Sequence, residues 1–286
     1  MQEDLYFAIE ELIGRGLYDK ALKLAEDKSL NDPVFFLSVK SRIMEKKGDF
    51  RKAMQFATEA LSNLPQTHPA IWFPHLVYLY AMWRMEDYEN ALEHFMTIPL
   101  KSFPHLIQAR FHNIAGLLYW SIGKKNQKEG PEHYRNALKH HQIALALRKG
   151  NPVEEAFSLN NIANTLLSLG KGEKAMEYYS KAKKIREERG RTSEVATTLR
   201  DIGRCLMTMG RFDEAKKTFL EVWKIQKNLG NPNDLAKILL SLGEVEKRVG
   251  NDPNPFLEKA MKLAKATGNE ILEKKIREVL GKDQTD

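Results

Sequence analysis

The feature that most constrains this chain is that it repeats itself. Residues Leu159–Ala182 read LNNIANTLLSLGKGEKAMEYYSKA, and Leu199–Val222, 40 positions later, read LRDIGRCLMTMGRFDEAKKTFLEV. Gly170 maps onto Gly210, Ala175 onto Ala215 and Tyr179 onto Phe219, while Gly150, Gly190 and Gly230 keep the same spacing. A fixed period of roughly 20–50 residues is the signature of a solenoid, in which each unit buries its apolar face against its neighbours. Within a unit, Leu159, Ile162, Leu166 and Leu169 recur at helical spacing before the glycine, and Met176, Tyr179 and Ala182 after it. Each unit therefore reads as a helix–turn–helix hairpin.

The same grammar runs through the earlier sequence. A turn residue is followed by an aromatic two positions on and an alanine three positions after that: Gly16, Tyr18, Ala21; Gly48, Phe50, Ala53; Glu86, Tyr88, Ala91; Gly210, Phe212, Ala215. The glycine ends a helix where the chain takes positive φ. The alanine lets two helix axes approach closely. At Gly170 the aromatic is missing, and Gly172 stands in its place.

These residues and spacings resemble the tetratricopeptide repeat. The family's common period is about 34 residues; the longer period here is similar to that of kinesin light chains and of peptide-sensing bacterial regulators built from such repeats. The resemblance implies an all-α, right-handed α-solenoid of about seven hairpins forming a single array over 1–281. The expected units are 1–30, 31–67, 68–103, 104–150, 151–190, 191–230 and 231–268, with a capping helix at 269–281 and a short tail at 282–286. Three stretches depart from the pattern. GKKNQKEGPEHYRN, from Gly123 onward, lengthens the loop or second helix of the fourth unit. Pro253 and Pro255 delay the second helix of the seventh unit to near Phe256. Pro74, Pro99 and Pro104 blur the hairpin borders of the third.

Hydrophobic residues make up 42% of the 286 and charged residues 29%, enough to fill a continuous core in an ordinary water-facing protein. No stretch reaches the roughly 18 apolar residues of a membrane span. The opening MQEDLYFAIEELIGRG lacks the basic-then-apolar order of a signal peptide. A cytoplasmic location is the default expectation. The single cysteine, Cys205, excludes an internal disulfide and reads as a buried, inert thiol.

No GxxxxGK[ST], HExxH or GxSxG motif is present, so an enzyme is not expected, nor is a cofactor. All eight histidines lie between His68 and His141. His133 and His140 can share a helix face, but a metal site would need His112 to join them from the next helix; a structural role is the simpler expectation. The net charge of +7 is uneven: residues 1–143 hold 18 Lys/Arg against 17 Asp/Glu, and 144–286 hold 27 against 21. The run Lys181, Lys183, Lys184, Arg186, Arg189 and Arg191 has no interleaved aromatics and contains Glu187 and Glu188. It reads as a solvated helix end rather than a nucleic-acid surface.

In tetratricopeptide arrays the first helices line a concave groove. Carried over, that places Asn113 and Trp120 of the fourth unit, Asn160, Asn164 and Leu167 of the fifth, Arg200, Arg204 and Met207 of the sixth, and Lys237 of the seventh on the groove face. Asparagine offers a donor and an acceptor to an extended peptide backbone, and the cations favour an acidic segment or a terminal carboxylate. Asn164 and Lys237 fit two places of the family's carboxylate clamp, but Asp201 stands where that clamp needs asparagine, which disfavours a chaperone-tail receptor. The expected function is a scaffold that binds a peptide segment of a protein partner, with self-association left open. The alternative is a regulatory module that contacts nucleic acid, or a complex bound to it, through the basic C-terminal half.

Overall fold

A computed structural model of the chain describes residues 5, 8–9, 11–13, 17–28, 33–65, 68, 70–126 and 128–281. Among them there is no β-strand, and helix follows helix throughout. The chain divides into two compact units, Met1–Arg148 and Lys149–Asp286. The expected tail at 282–286 and the first turn glycine, Gly16, lie outside the described residues.

In unit 1, helical residues between 5 and 13 bury Ile9 and Ile13. They precede α1 (Tyr18–Lys28), α2 (Pro33–Lys47), α3 (Phe50–Asn63), α4 (Trp72–Arg84) and α5 (Tyr88–Met96). A short 3-10 turn at Leu100–Ser102 leads to α6 (His105–Lys125) and α7 (Gly130–Leu147). Phe73, Leu79, Phe111, Ile114 and Leu118 are among its fully buried side chains. The third-unit prolines sit where helices tolerate them: Pro74 in the first turn of α4, Pro99 ahead of the 3-10 turn and Pro104 at the N-cap of α6.

Unit 2 contains α8 (Pro152–Ser168), α9 (Gly172–Glu188), α10 (Thr192–Thr208), α11 (Phe212–Leu229), α12 (Pro232–Val249), α13 (Asn254–Ala266) and α14 (Glu270–Leu280). Each helix packs against the next. The result in both units is an all-α solenoid of consecutive helix pairs.

The turns show why the sequence repeats as it does. From 150 to 250 a glycine with φ between 64° and 89° closes a helix every 20 residues, at 150, 170, 190, 210, 230 and 250. At Gly170 and Gly210 the closure has the same hydrogen bonds. Lys171 N donates to Leu166 O at 2.9 Å, and Arg211 N to Leu206 O at 2.9 Å, the six-residue ring that left-handed backbone at the glycine permits. Glu86 occupies the equivalent place after α4 with φ 62°, and Asp87 N donates to Met82 O at 3.0 Å. The turn geometry thus persists without glycine, at the expense of a strained glutamate.

Alanines 53, 91, 175 and 215 are fully buried near the start of their helices. A second small-residue position supports them on the partner helix. A Cβ on Gly203 would meet the Phe219 ring at 2.4 Å, and one on Gly116 the His141 ring at 2.4 Å. His141, 1% exposed, therefore takes in the α6–α7 hairpin the place that Phe219 takes in α10–α11. The missing aromatic at Gly172 is compensated from the neighbouring hairpin: the Met209 side chain occupies the space its Cβ would need, with Sδ at 2.6 Å.

Of the two alternatives for the residues after Gly123, the structure favours the loop: they extend the first helix of their hairpin, α6, through Lys125, and lengthen the connection rather than α7. Gly123 is helical, and it is small because Tyr134 and the Gly130 carbonyl lie where its Cβ would be. One expectation is corrected. Helix α13 begins at Asn254, not near Phe256, because Pro255 falls in the first turn, where its missing N–H is no loss.

Candidate functional site

In unit 2 the residues at i, i+4 and i+7 of two first helices form matched rows: Asn160, Asn164 and Leu167 on α8, and Arg200, Arg204 and Met207 on α10. Asn160 ties the rows together. Its Nδ2 donates to Asp201 Oδ2 at 2.9 Å, and its Oδ1 accepts from Arg186 at 3.4 Å. Arg186, from α9, also donates to the Glu194 carbonyl at 3.3 Å and to Thr198 Oγ1, and its Nε lies 3.5 Å from Glu194 Oε2. Burial lowers the guanidinium below its ordinary pKa, opposed by Glu194 and Asp201. A buried cation held by a carboxylate and several acceptors is stable only as a complete set. This network fixes α8, α9 and α10 in one geometry.

Arg186 is thereby removed from the basic run read as a solvated helix end: it is 3% exposed. Asn160, 7% exposed, has both amide atoms engaged inside the network. Asn164 is half-buried, and its Oδ1 accepts from the Tyr179 hydroxyl at 2.8 Å. Burial, with Asp201 adding to it, pushes the Tyr179 phenol upward, so the hydroxyl stays a donor. Packing thus accounts for Asn160 and for one side of Asn164.

The cations differ from the asparagines. Arg204 is exposed, with its guanidinium 3.5 Å from Asp201 Oδ1. Arg200 is half-exposed and has no ion-pair partner among the described residues. Leu167 and Met207 are partly exposed. Lys237, on α12, is exposed and pairs with Asp234 at 3.0 Å. Glu244, on the same helix, has its carboxyl pushed up by burial, with Arg204, Arg248 and Lys275 pulling the other way. Phe157, 41% exposed on α8, has the Arg186 guanidinium 5.2 Å from its ring centroid. Sequence reading missed Phe157; an aromatic one helical turn before Asn160 was the available signal.

In unit 1, Asn113 is 8% exposed within α6, and Trp120 is half-buried with the Lys124 ammonium 5.1 Å from its ring. His75, His94, His112, His133 and His140 make aromatic ring contacts. His75 Nδ1 is 2.9 Å from His94 Nε2, and His112 Nδ1 is 3.0 Å from His140 Nδ1. His112 does reach His140, but Tyr119 stacks on both His140 and His133, with ring centroids at 5.4 and 6.2 Å. Among the described residues no three His, Cys, Asp or Glu side chains are placed to hold a metal ion. Among them, too, no helix is long and apolar enough to cross a membrane.

Comparison with known proteins agrees with this geometry. The family model for the tetratricopeptide repeat matches residues 158–189 and 201–229. The search of curated proteins finds no match. Among solved structures, a Rap protein complexed with competence and sporulation factor superposes with a TM-score of 0.73 at 14% identity, covering 96% of this chain and 80% of that one. A signal-transduction ATPase with a tetratricopeptide-repeat sensor from Pyrococcus horikoshii gives 0.65 at 17% identity, over 96% of this chain and 43% of the other. Cut9, from the Cut9–Hcn1 hetero-tetramer, gives 0.63 at 13% identity, over 95% and 48%. At such identities the likeness is one of fold. With the turn glycines, the buried alanines and the matched helix pairs, it supports a tetratricopeptide-repeat fold for the chain, with the family's own repeats matched at 158–189 and 201–229.

Proposed function

We propose that the chain is a non-catalytic interaction scaffold that captures a peptide segment of a protein partner on the first-helix rows of unit 2. The observation that carries this reading is the division of labour between the two rows. Asn160 bonds both Asp201 and Arg186 and so links the helices. Arg200, Arg204 and Lys237, with the partly exposed Leu167 and Met207 beside them, are left on the surface. A fixed backbone carrying exposed cations and apolar side chains in register suits an extended segment bearing carboxylates, because little ordering is required on binding. The Rap and Cut9 structures that share the fold are both structures of complexes, which supports a binding role.

The test is panning of a random dodecapeptide display library on the full chain, followed by affinity measurement of enriched peptides on Arg200→Ala/Arg204→Ala. Enrichment of acidic peptides, with binding at least about tenfold weaker in the variant and unchanged melting, supports the reading. Enriched peptides that bind the variant equally well overturn it.

A further inference from the structure

The residues added after Gly123 have no counterpart in the other hairpins, and the structure shows where they go. The last turn of α6 carries Lys124 and Lys125 out to a cleft of about 460 Å³ in unit 1. The C-terminal end of α4 contributes Trp83, Arg84 and Glu86, the start of α5 contributes Tyr88, and α6 adds Trp120 and Ser121. The walls are aromatic and built in. Trp83 Nε1 donates to Ser121 Oγ at 2.9 Å, fixing the indole. The cations lie along the aromatic surfaces, Lys124 at 5.1 Å from the Trp120 ring and Lys125 at 5.7 Å from that of Tyr88. Arg84 sits 4.7 Å from the Phe50 ring.

The charge is lopsided. Three cations line the cleft against one carboxylate, Glu86. Arg84 and Lys125 are exposed and have no carboxylate within ion-pair distance among the described residues. Glu86 is also the one non-glycine with positive φ among the described residues, so the corner of this cleft is the strained point of the fold. Aromatic walls bearing cations bind a ligand that presents an anion next to an apolar or aromatic body.

We infer that the cleft formed by Trp83, Arg84, Tyr88, Trp120, Lys124 and Lys125 is a second docking site, taking a partner segment in which Asp or Glu adjoins a large apolar side chain. The carboxylate meets Arg84 and Lys125, and the apolar side chain lies between the tryptophans. The site is separate from the unit 2 rows, and it rests on the peptide-binding reading above.

The experiment pans the dodecapeptide library on full-length Arg200→Glu/Arg204→Glu, in which the unit 2 rows are disabled. Enriched peptides should pair Asp or Glu with Phe, Trp or Leu. Adding Lys125→Glu, at an exposed position, should weaken them at least about tenfold, and Arg84→Glu should do the same. Enrichment of neutral or basic peptides, or indifference to both charge reversals, overturns the proposal. Displacement of the peptides by AMP that itself binds more tightly also overturns it, assigning the cleft to a nucleotide. If the wild-type chain yields binders and the disabled chain none, this proposal alone fails; if neither yields binders, the peptide-binding reading fails with it.

Discussion

Acidification from pH 7.5 to 5 is expected to destabilise unit 1 well beyond unit 2. Every histidine of the chain lies in residues 68–141, and the fold holds the best-packed of them neutral. His141 is pulled down to about 3, chiefly by burial and then by His140 and Arg148. His140 falls to about 4, by burial, His112 and Lys139, and His75 to about 4, by burial and His94. His94 and His112 are lowered by burial. Phe95 and Tyr119 pack against the His112–His140 pair and offer no carboxylate to a second proton.

Because each folded pKa lies below the unfolded value of 6.5, the stability these rings contribute is complete above pH 6.5. It is lost as the pH falls toward 4, where the unfolded chain binds protons that the folded one refuses. At pH 5 the loss is about 2 kcal/mol for His141 and, after allowance for partial exposure, about 1 each for His75 and His140. A loss of about 4 kcal/mol is a large share of the 5–15 kcal/mol that ordinarily holds a domain. Three of the four tryptophans, Trp72, Trp83 and Trp120, lie in unit 1. Urea melts followed by tryptophan emission therefore report chiefly on that unit, while far-UV circular dichroism reports on both. At pH 5 the emission midpoint should fall below the main dichroism midpoint, and His141→Leu should reduce the separation. Midpoints that move together, or a His141→Leu variant with the same pH dependence, would refute the reasoning.

Other perturbations follow from the packing. Asn160→Ala removes one partner each from Asp201 and Arg186 and should destabilise unit 2 by about 1–3 kcal/mol, read as a change in the dichroism melt that the emission melt does not share. Gly203→Ala forces a methyl against the buried Phe219 ring and should cost about 1–3 kcal/mol, whereas Glu86→Gly relieves a left-handed glutamate and should stabilise unit 1 by about 1 kcal/mol. Cys205, pushed up to about 11 by burial and by Glu173, should react with a thiol reagent at pH 8 only on unfolding; rapid labelling of the folded chain would show the thiol to be open.

Much of the fold was legible because a solenoid writes each packing rule several times. Gly170 and Gly210, Ala175 and Ala215, and Tyr179 and Phe219 mark the same turn and the same helix contact twice, so period and meaning could be read together. The candidate site was less legible, for a reason visible at Asn160 and Arg186. A polar residue on a first helix serves either the surface or a neighbouring hairpin, and the choice depends on Asp201, 41 positions away, and on Arg186 from the helix between. Helical periodicity places these residues on faces and leaves unstated which cation closes the set. The extension of α6 itself was not legible because Gly123 resembles a turn glycine, while its smallness is required by Tyr134. His141 was readable only as part of a histidine cluster, since its equivalence to Phe219 depends on the Gly116 contact.

The most direct test of the scaffold reading compares two charge reversals on one enriched peptide by fluorescence anisotropy. Arg200→Glu/Arg204→Glu alters the exposed cations of α10, and Lys184→Glu/Arg189→Glu alters exposed cations at the end of α9. The account predicts binding at least about tenfold weaker for the first and wild-type affinity for the second. Equal weakening of both, or loss only in the second, would place the interaction away from the first-helix rows and contradict it.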